Sequence, residues 1–470
     1  VKCALVNEGG ASHRWPVNIR PESRVGPSDV EQNLFPAARY GIDQCDLHVA
    51  IAPRPLLALI EEYSPRFNIT ADHIRSRYQQ LGVPEQFATG EATDPHAWTV
   101  KLRLAATDWF WRSFYNRSGP TQEPTFEPEK PETLYCTPGG SVGYSRQGET
   151  IFSLMLKKQA SLRPPRKIPS SPSALAAFRE QMSGEIQKLL HYRKPDSSLE
   201  VRQVVTTQRK GYRIEKIEFL SEPGIYIPTW VFVPDGQRES REPVLFVNEA
   251  GKQADGMEFG LYEALAHRGK LVVAVDVRGI GETRRPHDQS SDRRPFSHLF
   301  DVDTAISYMA WFMDESLFGM RVQDVVRSVD YALSRPDTLK TGVRVIGQGA
   351  GALWVLYAAA LDPRITTVVA KRGLLSYRNL AQVDRYTHGA GVFIRDVLLY
   401  FDLPQVAAAV AGRRLTIFSP LDAMKRPAEI HDANEAYKRT SAAYQAADAD
   451  DHFLIALRTG ETDPIAVYFA

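Results

Sequence analysis

The residues best placed to do chemistry lie in one run, VRVIGQGAGALWVLYAAALD at 343–362. A short β-branched stretch bounded by glycine predicts a strand buried on both faces. The Ala- and Leu-rich stretch after it predicts a helix packed on that strand's sheet. Between them stands Gly347-Gln348-Gly349-Ala350-Gly351. A G-x-S-x-G turn at such a corner presents a serine hydroxyl as a nucleophile. The small residues allow a sharp bend and a close approach of helix to strand. Here the middle position is Gly349, so the frame is present without its oxygen. A dinucleotide phosphate loop would need G-x-G-x-x-G after the first strand of a βαβ unit. These glycines are spaced by two throughout and lie far from any such strand.

A nucleophile of this kind works with a base, an acid that orients the base, and N–H donors for the oxyanion. His96 closes the loop Thr93-Asp94-Pro95-His96, between a strand expected at 85–91 and an amphipathic helix expected at 98–115. On spacing alone it reads equally as a base and as a solvated loop histidine. Asp422 follows a strand expected at 415–419, where a triad acid would stand; by itself it reads as a strand-end cap or a salt-bridge partner. The loop after the last expected strand, 453–457, holds Thr459-Gly460-Glu461-Thr462 and no histidine. His431 and His452 both precede that strand. Asn248-Glu249-Ala250-Gly251-Lys252 occupies the oxyanion-loop position after a strand at 244–248, and without a nucleophile it reads as loop closure. Ser12 and His13 are adjacent and lack a glycine frame, so they read as loop residues.

Elements in chain order must position these groups. Strands are expected at 1–6 and within PLLALI (55–60). A helix N-capped by Thr70 then runs to Gly82. A proline-rich linker covers 116–131, short strands surround Gly139-Gly140 in 133–152, and a second breaker region covers 163–172. A charged helix at 173–192 and a β-rich run at 201–234 follow. Beyond them strands at 244–248, 271–276, 343–347, 366–370, 415–419 and 453–457 alternate with helices at 257–268, 304–333 and 429–446. The alternation predicts an α/β fold with a doubly wound, mainly parallel sheet. It places the C-terminal part of a second such unit at 1–115, a linker with short strands at 116–172, and a complete domain at 173–470.

Composition narrows the partners. A net charge of +1 gives no reason to expect nucleic acid. No apolar run approaches the ~20 residues that span a bilayer, and no leader peptide is visible at the start. Cys3, Cys45 and Cys136 are too few and too scattered for a disulfide framework or a zinc site, and no cofactor is expected.

In order and in local wording the chain resembles two-domain bacterial α/β-hydrolases of the acetylxylan esterase-like kind. The shared words are VAVDVRGIGET (273–283), VIGQGAG (345–351), HGAGVFIRDVLLYFDLP (388–404) and SPLDA (419–423), preceded by EQNLF (31–35), GIDQCDL (41–47), APRPLL (52–57) and LYCTPGG (134–140). The resemblance implies that residues 1–115 end a catalytic domain whose serine lies outside this chain. It implies His96 as base, with Pro95 in place of the usual glycine. It implies an acid among Glu61, Glu62 and Asn68, with Glu62 taken here. The second domain then reads as a degenerate copy, with Gly349 and Asp422 as its vacated site. The implied substrate is a small ester or an acetylated carbohydrate. A missing N-terminal segment or another chain is expected to cover the strand at Val1. The other reading is a non-catalytic scaffold that binds carbohydrate or a partner; an esterase centred on Ser12 and His13 is the third.

Overall fold

A computed structural model describes residues 2–7, 34–60, 65–92, 97–162, 168–169, 171–236, 240–284, 302–458 and 468–469. It forms two compact units, Val1–Gly148 with Trp311–Asp314, and Glu149–Ala310 with Glu315–Ala470.

In the first unit the elements run β1 (Ala4–Asn7), α1 (Gln44–Val49), β2 (Leu56–Ile60), α2 (Pro65–Gln80), β3 (Phe87–Glu91) and α3 (Val100–Tyr115). The three strands pair in parallel in the order β1-β2-β3. Leu56 to Leu59 of the central strand are buried on both faces, as a parallel strand between helices requires. Two expectations fail here. Thr70 lies inside α2, which begins at Pro65, a residue suited to a first turn because its missing N–H has no partner to lose. The stretch 133–152 is helical, forming the end of α4 (Pro131–Leu134), α5 (Val142–Arg146) and the start of α6 (Ile151–Ser161). Hydroxyl caps decide it: Ser141 accepts the Tyr144 N–H, and Thr150 and Ser153 form a reciprocal capping box.

The second unit continues through α7 (Pro172–Leu190), β4 (Arg202–Arg209), β5 (Tyr212–Glu222), β6 (Ile225–Pro234), β7 (Pro243–Asn248), α8 (Leu261–His267), β8 (Leu271–Val275), α9 (Val302–Phe312) as far as Ala310, α10 (Leu317–Ser334), β9 (Val343–Gln348) and α11 (Ala350–Leu361). It ends with β10 (Ile365–Lys371), α12 (Tyr377–Ala381), α13 (Leu403–Ala409), β11 (Arg414–Phe418), α14 (Ile430–Ala446) and β12 (Phe453–Ala456). One nine-stranded sheet has the order β12-β11-β10-β9-β7-β8-β6-β5-β4. Its β4, β5 and β6 are antiparallel, β6 meets β8 antiparallel, and the other pairs are parallel. The expected α/β class and mainly parallel sheet are what the chain forms.

The order carries one consequence for function. β7 and β9 are neighbours, yet β7 leads to β8 on one side and β9 leads to β10 on the other. This reversal is a topological switch point, and the carboxyl ends of β7 and β9 are where an open α/β sheet usually places its ligand crevice. Core packing fixes that place. β7 is buried along its whole length, and α11 is buried from Gly351 to Ala359 between the sheet and α7, α10 and α13. A helix enclosed on all sides has no polar face, which explains the unbroken apolar sequence of α11. Leu175, Phe178, Met182, Ile186 and Leu190 form the buried stripe that α7 brings to the same core.

Candidate functional site

Gly349 stands between the last residue of β9 and the first of α11 with φ 64° and ψ −127°. A side-chain-bearing residue reaches this region only with strain, which a nucleophile corner stores; glycine reaches it freely. The bend is held by the Gly349 N–H donating to the Lys371 carbonyl at 2.9 Å and the Ala352 N–H donating to the Gly349 carbonyl at 3.1 Å. Helix and strand nearly touch, since a Cβ on Gly351 would lie 2.3 Å from the Val247 carbonyl oxygen. The expected strand-to-helix corner at Gly349 is present.

Its vacant position is filled by another residue. A Cβ built on Gly349 would fall 2.1 Å from Cδ of Glu249 and 2.3 Å from its Oε1. Glu249 arrives from the loop after β7, across the crevice. Its Oε2 accepts the Ala350 N–H at 2.9 Å. That N–H, on the residue after the nucleophile position, is the donor an oxyanion would use. The other candidate donors are also engaged. The Glu249 N–H donates to the Gln348 carbonyl at 3.2 Å, and the Ala250 N–H donates to Asn248 Oδ1 at 2.9 Å. The crevice therefore presents an anionic carboxylate where an acyl-transfer site presents a hydroxyl and free N–H groups.

Asp422 lies in the turn after β11 and uses its carboxylate on that turn. Oδ1 accepts the N–H groups of Met424 at 2.8 Å and Arg426 at 2.9 Å, and Oδ2 accepts from Arg426 Nε at 2.9 Å. Partial burial pushes its pKa up, but these bonds and the Arg426 charge outweigh it and hold the carboxyl below its ordinary range. The nearby imidazole belongs to His388, which is buried and places Nε2 2.8 Å from the Asp422 backbone carbonyl. A carbonyl only accepts, so Nε2 carries the proton and Nδ1 is the basic nitrogen. Burial lowers the His388 pKa; the Lys425 charge acts in the same direction, while the Asp422 carbonyl and the Glu249 charge oppose it. The acid and the imidazole thus meet through a backbone oxygen, not through the carboxylate that would orient a base.

The adjoining loop is a closed ion cluster. Lys252 is fully buried, with Nζ 2.6 Å from Asp276 Oδ2 and 2.6 Å from Glu282 Oε1. Asp276 also accepts the N–H groups of Lys252 at 2.6 Å and Glu282 at 2.9 Å. Gly251 and Gly281 pack against this carboxylate, where a Cβ would lie 3.0 Å and 2.2 Å from its oxygens. The loops after β7 and β8 are locked together by these contacts.

His96, Glu62, Ser12 and His13 lie outside the described residues, as does the loop at 459–462. Among the described residues, Cys45, Asp46 and His73 bring one potential metal-ligand atom each within 4.8 Å of one another. Asp46 already accepts the Asp43 N–H at 2.8 Å, closing the start of α1. Sequence reasoning read Glu249 as loop closure and gave His388 no role. The position of Glu249 one residue past β7, in the oxyanion loop, was the available signal for the first. A histidine before Gly389-Ala390-Gly391 was the signal for the second.

With this geometry in view, comparisons with known proteins agree on the fold. A model of the Abhydrolase family matches residues 147–453. YtaP of Bacillus subtilis (strain 168), named as a hydrolase, is 25% identical over 226 residues, which is 45% of this chain and 70% of YtaP. The crystal structure of a Bacteroides fragilis NCTC 9343 protein described as an acetyl xylan esterase is similar at TM-score 0.56 and 17% identity, covering 68% of this chain and 86% of that one. An acetyl xylan esterase from Paenibacillus sp. R4 gives a TM-score of 0.42 at 19% identity, covering 66% and 96%.

Proposed function

The chain belongs to the Abhydrolase family, and from that premise we propose that its second unit is an esterase-like hydrolase fold whose own corner is catalytically silent. One observation carries the reading: the Glu249 carboxylate fills the nucleophile's place and takes the Ala350 N–H. Acyl transfer needs a nucleophilic oxygen and N–H donors that strengthen their bonds as negative charge develops. A fixed carboxylate repels that charge at the point where it would form. The bond from His388 to the Asp422 carbonyl supports the same reading, because no carboxylate orients the imidazole.

The finer assignment is also a proposal. Residues 1–115 are the C-terminal part of a second hydrolase domain, 116–172 a linker, and 173–470 the silent domain. His96 serves as base and Glu62 as acid to a serine supplied from outside these 470 residues. The reaction is hydrolysis of ester groups on acetylated carbohydrate. The parallel order β1-β2-β3 and the printed name of the Bacteroides fragilis relative support it. The alternative, a scaffold that binds carbohydrate or a partner without cleaving, is favoured for the second unit by the engaged N–H donors.

The test is direct. The intact chain is treated with an activated acetate ester and a fluorophosphonate probe, followed by peptide mapping. Neither turnover nor labelling is expected. A labelled serine anywhere in 149–470 overturns the silent-corner reading. A labelled serine in 1–148 overturns the assignment of the nucleophile to a segment outside the chain.

A further inference from the structure

A cavity of about 940 Å³ lies in the second unit, away from the Gly349 corner, walled by α6, α12, α13 and α14. Its volume is at the upper end for a small-ligand site. The chemistry of its wall is asymmetric. Ser376 Oγ accepts the Asn379 N–H, Asn379 Oδ1 accepts the Ala423 N–H, and Gln405 Oε1 accepts the Asp402 N–H, each at 3.0 Å. These acceptors are occupied within the protein, which leaves the NH₂ groups of Asn379 and Gln405 and the Ser376 hydroxyl proton available to donate. Asp402 is engaged as well: its oxygens take the N–H groups of Tyr377 at 2.7 Å, Leu403 at 2.7 Å and Arg378 at 3.1 Å.

Two further observations point to a ligand. Gln159, on α6, lines the cavity with a buried Nε2 that has no hydrogen-bond partner among the described residues. Buried donors without partners are costly, so a bound acceptor would relieve this one. Arg378 and Arg439 line the same cavity, and among the described residues neither guanidinium meets a protein acceptor. Guanidinium forks match carboxylates bidentately. Glu435 pairs with Lys438 at 3.4 Å, leaving Asp432 as the acceptor for hydroxyl donors.

We propose that this cavity binds a carboxylate-bearing oligosaccharide, its acid group held by Arg378 and Arg439 and its hydroxyls shared among the amides, Ser376 and Asp432. Inorganic phosphate would use the donors alone and fill little of the volume. The inference does not rest on the silent corner, because Gly349, Glu249 and His388 are not part of this wall.

Calorimetric titration of the intact chain with trigalacturonate, and with its fully methyl-esterified form, tests the proposal. The acid form is expected to bind and the ester at least tenfold more weakly. Arg378→Gln and Arg439→Gln should each weaken the acid form about tenfold and leave the ester unchanged. Ala436→Trp, which projects bulk into the cavity without changing its charge, should weaken both. Glu249→Ala should bind like the parent, so failure here is distinguishable from failure at the corner. Equal binding of acid and ester, unchanged binding by the arginine variants, or displacement of the sugar by equimolar inorganic phosphate overturns the proposal. So does absence of binding at millimolar sugar. Circular dichroism of each variant separates lost binding from lost fold.

Discussion

Two loops leave adjoining parts of the same sheet and handle a carboxylate in opposite ways. Asp276, after β8, is buried and accepts from Lys252 Nζ and from two backbone N–H groups. Glu249, after β7, is exposed at the crevice with one oxygen on the Ala350 N–H. The first carboxylate ties two loops into a fixed frame. The second occupies the place that such a frame would offer to a reactive oxygen. On the silent-corner proposal, the difference means that shaping a nucleophile corner and supplying its reacting atom are separate tasks. Here the bend, the tight helix–strand approach and the locked neighbouring loop are present, while the hydroxyl is not.

Breaking the frame should cost the most. Lys252→Met removes the partner of a fully buried carboxylate, and leaving such a charge unpaired costs about 3–5 kcal/mol. Urea unfolding should show that loss with little change in slope. A loss below about 1 kcal/mol would mean that Glu282 and the N–H groups suffice. Gly351→Ala comes next. Its Cβ would meet a backbone oxygen that no rotamer change can move, so about 1–3 kcal/mol should be lost through displacement of α11 from β7. An unchanged midpoint would show that the helix can shift without cost.

The frame was legible from the amino acids because its causes are local. Glycine spacing and the change from a β-branched run to an Ala- and Leu-rich run mark the corner at Gly349, and strands alternating with helices mark a parallel sheet. The occupant was not legible, because Glu249 lies 101 residues from Ala350 and reaches it only through the adjacency of β7 and β9. Alternation implies parallel strands without saying that β8 lies outside β7. His388 was obscured similarly, since its partner is a backbone carbonyl that any residue at 422 would supply. The difference at 133–152 has a local cause: Gly139-Gly140 suggests a break between short strands, whereas the Ser141 and Thr150 caps turn the chain into helices.

The corner itself offers a sharper contrast. Gly349→Ser would place a side chain in the left-handed region and against the Glu249 carboxyl, a loss of about 1–3 kcal/mol. Adding Glu249→Ala should recover most of it, giving a large non-additive term in a double-mutant cycle. The double variant should still resist fluorophosphonate labelling, since Asp422 remains held by its own turn. Labelling would show that His388 can serve as base once the carboxylate is gone. Additive losses would show that Glu249 turns away without cost.

The smallest effects separate by pH. The His388 pKa lies below its ordinary value of ~6.5, so between the two values the unfolded chain binds the extra proton. Stability from this group is fully present above pH ~6.5 and falls as pH drops through the folded value; His388→Gln should flatten that part of the profile. Asp422 is shifted the same way at a lower range, so its contribution is complete above the unfolded value of ~3.9 and fades as pH falls through the folded one. Arg426→Gln should shrink only this second step. NMR titration of the His388 ring across pH 5–8 checks the assignment. Because Glu249 favours the protonated ring, Glu249→Ala should move the His388 midpoint further down. A midpoint that stays in place would mean that the carboxylate and the imidazole do not sense each other across the crevice.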